Sequence, residues 1–176
     1  DRPGLDGKNR LQDGDPFSNR KPTPREFETV KLAVAFQMSF PGSPMIYYGD
    51  EAGMWGADDP EDRKPMLWED LAPYDHPDDA VNTNLLSFYR VLGRARADVP
   101  ALRTGDITEY FIDGEVFAFA RSKGASLARC FFNRSGEPRR VRWKFLDEDG
   151  TVYDDLLGNA TPTKKWKAPK MKKPKK

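Results

Sequence analysis

The sequence contains one cysteine and one histidine, and that scarcity removes several chemistries at once. Cys130 has no second cysteine with which to close an internal disulfide, and a zinc site of the histidine–cysteine kind lacks enough ligands. With Ala128, Phe131 and Phe132 as neighbours, Cys130 reads as a small buried hydrophobe in a strand rather than a reactive thiol. No apolar stretch approaches the length needed to cross a membrane. The chain opens at Asp1 without an initiator Met or a charged-then-apolar leader, so its compartment stays open. Acidic residues are missing from 164–176, which hold eight lysines and leave 21 basic against 28 acidic residues in a body of about −7. Such a body gives no electrostatic footprint for nucleic acid, and only the tail is suited to polyanions. Like charges repel and nothing there builds a core, so 161–176 reads as a disordered, solubilising end.

What is present suits a soluble globular chain, with 38% hydrophobic and 12% aromatic residues over 176 positions, enough for one good core or two small ones. The first 22 residues are turn chemistry, including Leu11-Gln-Asp-Gly-Asp-Pro16 and Asn19-Arg-Lys-Pro22. A helix is expected from Thr23, which can cap it, with Pro24 at the first helical position and Glu26 where a capping box places its acid. Its stretch Leu32 to Phe40 is nearly all apolar, which predicts a helix buried on most sides and ended by Pro41-Gly42. Pro44-Met-Ile-Tyr-Tyr48 then reads as a short strand buried on both faces, as in a parallel sheet. Residues 49 to about 80 show no periodicity, and a loop that long inside a compact domain is usually functional. Val81 to about Ala97 is helical, with Val81, Leu85, Phe88, Tyr89, Leu92 and Ala95 on one face.

After Gly105 the pattern changes to short β-prone runs. Glu109–Ile112, Glu115–Arg121, Ser126–Asn133 and Arg139–Phe145 are separated by Asp113-Gly114, Lys123-Gly124 and Ser135-Gly-Glu-Pro138, which predicts an antiparallel meander. The boundary between the two regimes falls near 98–106.

Between these segments lies a compound pattern: Gly42-x-Pro44, Gly49-x-Glu51, then Asp59-Pro60-x-x-Arg63-x-Pro65-Met66-x-Trp68. In this order, over about 27 residues, it resembles the eighth-strand region of the α-amylase family of glycoside hydrolases, particularly neopullulanase- and cyclomaltodextrinase-like members. The resemblance extends over residues 1 to about 158. It implies an α/β plus all-β architecture: 1–100 as the C-terminal remnant of a (β/α)8 TIM barrel with its last helices and eighth strand, 101–160 as a small antiparallel β-sandwich domain, and 161–176 as the lysine-rich tail. It also implies an α-glucan or maltooligosaccharide partner and no cofactor.

Family members cleave α-glucosidic bonds with retention, which needs a carboxylate nucleophile and a carboxylic acid flanking the scissile bond. In the family these and a third carboxylate, in a His-Asp pair, lie at the ends of the fourth, fifth and seventh strands. Here the only histidine, His76, is followed by Pro77, so no catalytic residue is expected in this chain and the catalytic carboxylates are expected upstream of Asp1. Asp59 and Arg63 match positions that contact sugar hydroxyls in relatives. A carboxylate accepting from two hydroxyls and a guanidinium donating in a fixed fork suit that task. The alternative is a loop-stapling i, i+4 ion pair worth about 0.3 to 0.5 kcal/mol when exposed. Asp50 and Glu51 stand at the strand's end. Adjacent extended residues point to opposite faces, so they are poorly placed to flank one bond. Glu51 is expected to make structural hydrogen bonds, and Asp50 is open between that role and the pocket rim. Trp55 has the aromatic plane that a sugar face stacks on, whereas Pro65-Met66-Leu67-Trp68 reads as a loop anchor. Asp13 and Asp15 fall short of a calcium site and fit an Asx turn better, so no metal is expected.

Two other readings stand beside the resemblance: a non-catalytic carbohydrate-binding or scaffold module, and a polyanion binder acting through the tail. In the family a hydrophobic strand closes the β domain after a stretch resembling Val152-Tyr-Asp-Asp-Leu-Leu-Gly158, whereas here Thr161 onward turns into lysine and proline, so the sandwich is expected to lack its last strand. Met45 to Tyr48 would lack neighbours without the N-terminal part of a barrel, so a separate fragment is expected to be poorly stable or to form homo-oligomers.

Overall fold

The computed structural model describes residues 20–56, 63–74 and 78–139. Helix α1 spans Pro24–Ser39 and begins as its chemistry dictates. Thr23 accepts from the Glu26 amide while the Glu26 carboxylate accepts from the Thr23 amide at 2.7 Å, so two amides with no intrahelical partner are satisfied reciprocally. Arg20 grips the same carboxylate at 2.6 and 2.8 Å. That guanidinium, followed by the Thr23 groups, holds Glu26 well below the usual carboxylate range.

Helix α2 spans Thr83–Asp98, capped by the Asn82 side chain, which accepts from the Leu85 amide at 3.0 Å. Leu85, Tyr89, Leu92 and Ala95 form its buried face. Leu85, Tyr89 and Leu92 meet Val34 and Met38 of α1, with Phe27, Ala35 and Phe88 around them. A five-residue helix, α3 (Pro100–Thr104), starts immediately after α2.

Three antiparallel strands follow, β1 (Asp106–Asp113), β2 (Val116–Lys123) and β3 (Ser126–Asn133), in the order β1-β2-β3. Gly114 and Gly124 turn the two hairpins with φ of 56° and 57°, the left-handed backbone that these tight turns require. The expected run Arg139–Phe145 and the tail fall outside the described residues. Phe117, Phe119 and Phe132 on one sheet face meet Phe36 and Phe40 of α1, with ring centroids 5.4 Å apart for Phe36–Phe132 and 5.7 Å for Phe40–Phe119.

Arg121, 1% exposed, lies within this junction. Its guanidinium donates to the carbonyls of Ser39 (2.8 Å), Leu102 (2.6 Å) and Gly105 (2.6 and 3.1 Å). Position 105 leaves no room for a side chain, since a Cβ there would stand 2.5 Å from the Ala101 carbonyl oxygen and 2.6 Å from that of Ser122. Arg96 donates to the Met38 carbonyl at 2.6 Å, to Phe40 at 3.2 Å and to Gly42.

Two expectations are corrected. Residues 44–48 form no strand, and Met45, Ile46, Tyr47 and Tyr48 are exposed, Met45 by 74%. A buried strand needs hydrogen-bonded strands at its edges and packed layers over its faces, and among the described residues no strand pairs with this run. The segment is held instead by side chains: Gln37 donates to the Met45 carbonyl at 2.6 Å and Tyr48 to that of Lys64 at 3.1 Å. Helix α1 is likewise covered on less of its circumference than expected, because Val30 and Phe36 are both 38% exposed.

Replacing Arg121 by Met should cost about 3 kcal/mol in urea denaturation, because three buried carbonyls lose charged donors; Arg121→Lys should recover only part of it.

Candidate functional site

The turn from Tyr47 to Met54 is built from backbone bonds of its own. Asp50 N–H donates to the Tyr47 carbonyl at 3.0 Å, Gly53 to Asp50 at 3.1 Å, and Ala52 and Met54 both to Gly49 at 3.1 and 2.9 Å. Gly49 and Gly53 carry φ of 87° and 72°. Space restricts both positions as well, since a Cβ at Gly49 would run into the Met54 side chain and one at Gly53 would lie 2.7 Å from Asn82 Cβ. The turn docks on the start of α2, where the Asn82 amide donates to the Ala52 carbonyl at 2.8 Å.

A cleft of about 440 Å³ opens between α1, this turn and α2, lined by Val30, Val34, Asp50, Met54, Leu85 and Tyr89 among others. Asp50 lines it and Glu51 does not. Asp50 Oδ2 accepts from the Tyr47 amide at 3.2 Å. Partial burial, then the neighbouring Glu51 charge, raises the Asp50 carboxyl above its ordinary value against that hydrogen bond. Glu51 Oε2 is buried and, among the described residues, accepts no hydrogen bond, so the structural bonds expected of it are not seen at that oxygen. The Tyr89 phenol is pushed up to about 12, first by burial and then by the charges of Asp50 and Glu51. Cys130, on β3, is pushed up to about 11 by burial, which leaves an unreactive thiol at neutral pH.

Around Trp55 the loop ends converge. The Lys64 ammonium stands 3.8 Å from the Trp55 ring centroid and 3.8 Å from Asp79 Oδ1. Arg63, next in the chain, is exposed. Asp59 lies outside the described residues, as do His76, Asp13 and Asp15. The anchor expected of 65–68 is supplied by Leu67, 7% exposed, while Trp68 itself is 55% exposed. Its backbone is nonetheless pinned, because Tyr74 donates to the Trp68 carbonyl at 2.7 Å. Lys64 and Asp79 were invisible to a reading by motif. A lysine 9 positions from a tryptophan and 15 from an aspartate has no local signature. Among the described residues no three His, Cys, Asp or Glu side chains form a group able to hold a metal ion, and no helix is long and apolar enough to cross a membrane.

No protein-family model matches the chain. It is 35% identical over 129 residues to neopullulanase 2 of Thermoactinomyces vulgaris, covering 72% of this chain and 21% of that protein. It is 38% identical over 130 residues to the cyclomaltodextrinase of Geobacillus thermopakistaniensis, covering 73% and 21%. Among solved structures it is similar to the cyclic α-maltosyl-(1→6)-maltose hydrolase of Arthrobacter globiformis in complex with that cyclic sugar, with 34% identity, a TM-score of 0.52, and coverage of 62% of this chain and 24% of that one. The chain thus spans about a fifth of the length of these two curated relatives.

Tyr89 generates a pH prediction. Its phenol ionises near 10 when unperturbed and near 12 in the fold, so the unfolded chain loses the proton first. The contribution of the neutral phenol to stability is full below pH 10 and is lost as pH rises towards 12. In a Cys130→Ala background, Tyr89→Phe should remove the fall in urea midpoint between about pH 10 and pH 12 that Tyr89 otherwise causes.

Proposed function

We propose, from the premise that this chain is a partial-length relative of the α-amylase family of glycoside hydrolases, that it supplies one wall of an α-glucan-binding cleft and none of the cutting groups. In this reading 1–100 is the closing part of the catalytic barrel, 101–160 the β domain that follows it, and 161–176 a tail. The apolar run 45–48, which forms no strand here, corresponds in this reading to the position of the relatives' eighth strand.

The observation that carries the reading is the compound pattern from Gly42 to Trp68 combined with where its parts stand. The Gly49 to Gly53 turn ends the apolar run, Tyr48 is bonded to the Lys64 carbonyl, and Arg63, the residue before Lys64, is exposed. From there a guanidinium can donate to paired hydroxyls, with Asp59 as the accepting partner. Asp50, already on the rim of the neighbouring cleft, belongs to the same wall. Retaining hydrolysis requires two carboxyl groups about 5 to 5.5 Å apart across the bond. Asp50 and Glu51 are adjacent residues of one turn, and this reading does not assign them as that pair. The family's His-Asp pair has no counterpart, since His76 precedes a proline.

Purified 1–176 should release no reducing sugar from pullulan or cyclodextrin, while binding maltotetraose saturably in calorimetry. Arg63→Ala and Asp59→Ala should each weaken that binding about tenfold, the loss of a charged hydrogen bond. Hydrolysis by this chain alone would overturn the assignment of catalysis to residues outside it; unchanged affinity in both variants would overturn the site.

A further inference from the structure

Lys64 connects three segments. Its ammonium stands over the Trp55 ring at the end of the 47–54 turn. The same ammonium pairs with Asp79 on the approach to α2, both side chains being mostly covered at 19% and 15% exposure. Its own carbonyl accepts from Tyr48. A surface lysine ordinarily keeps its ammonium in water and moves freely on a four-carbon stem. Here an aromatic face and a carboxylate hold the ammonium, and a phenol holds the backbone, so the residue after Arg63 is fixed at both ends. A guanidinium that reads sugar hydroxyls needs such a fixed base, because its fork is directional and loses its partners with small displacements.

The same contact bears on Trp55. A sugar ring stacks through its apolar C–H face on an aromatic plane, and the Lys64 ammonium already occupies one face of this plane. The attraction of the cation to the ring quadrupole, reinforced by Asp79, opposes its departure.

We propose that Lys64 is the positioning residue of the glucan-binding wall: seated on Trp55 and paired with Asp79, it fixes Arg63 for sugar contact, and Trp55 serves as its seat rather than as a stacking platform. This rests on the reading of Arg63 as a glucan contact. Lys64 touches no sugar in this scheme and acts through its neighbour.

The test uses Lys64→Met, which keeps the aliphatic stem and removes the charge, and Lys64→Arg, which keeps it, both in the 176-residue chain labelled with ¹⁵N. Lys64→Met should weaken maltotetraose binding about tenfold, shift the Trp55 indole resonance and increase the mobility of the Arg63 Nε–H, whereas Lys64→Arg should restore most of the affinity. Asp79→Asn removes the other end of the contact and should weaken binding in the same direction, which covers a Lys64→Met chain that fails to fold. The proposal is overturned if both Lys64→Met and Asp79→Asn fold and bind as the parent does, or if maltotetraose shifts the Trp55 indole as a stacked ring would while leaving Arg63 unmoved. Should the parent chain bind no maltotetraose, the glucan reading fails by itself. The positioning claim is then decided by Arg63 mobility, and an Arg63 equally ordered in Lys64→Met overturns it.

Discussion

The last turn of α1 presents carbonyls that its own amides cannot reach, and two arginines from distant parts of the chain satisfy them. Arg96 comes from α2 and takes the carbonyls of Met38, Phe40 and Gly42. Arg121 comes from β2 and takes that of Ser39. Both cations stand at the negative end of the helix dipole, where positive charge is favoured. Bringing them together has a cost: burial, and then the like charge of Arg96, lowers the Arg121 pKa from its ordinary value. The guanidinium stays charged regardless, and its bonds tie β2 to the end of α1 through Ser39 and to α3 and its cap through Leu102 and Gly105.

From this junction the chain runs directly into the candidate site. Gly42 is held by Arg96, Met45 by Gln37 and Tyr48 by its bond to Lys64. The path from the end of α1 to the 47–54 turn is therefore set by side chains that grip backbone carbonyls rather than by a strand ladder. The turn has its own glycines at positive φ and its own bond to Asn82. A loop built this way keeps its shape with one side of the apolar run uncovered, and its polar residues keep a defined relation to α2.

Local chemistry was legible in the sequence. Thr23, Pro24 and Glu26 announce a helix start because a capping box involves residues three apart, and Asp113-Gly114 announces a hairpin because the turn needs that φ. The face of α2 could be read from its periodicity for the same reason. Nonlocal chemistry was not legible. Arg121 looks like an ordinary polar residue near a strand's end, yet it is buried because the carbonyls of Ser39, Leu102 and Gly105 converge on it. The run Pro44 to Tyr48 has the composition of a buried strand, but burial depends on neighbours that none of the described residues supplies. The Lys64 contact on Trp55 and the exposure of Trp68 beside a buried Leu67 could not be read from the sequence, since which side chain covers which depends on the folded loop. Asp59, central to the sugar-binding reading, lies outside the described residues, and its role rests on the pattern it shares with Arg63.

Homology to α-amylase-family enzymes, a turn that ends an apolar run, and an exposed arginine next in sequence to the lysine seated on Trp55 support the proposed account, in which this chain holds glucan and does not cut it. A crystal structure of the chain with maltotetraose tests that account most directly. The account predicts sugar hydroxyls within hydrogen-bonding distance of the Arg63 guanidinium, with Lys64 still over Trp55. Sugar bound elsewhere on the chain, with Arg63 making no contact to it, would contradict the account.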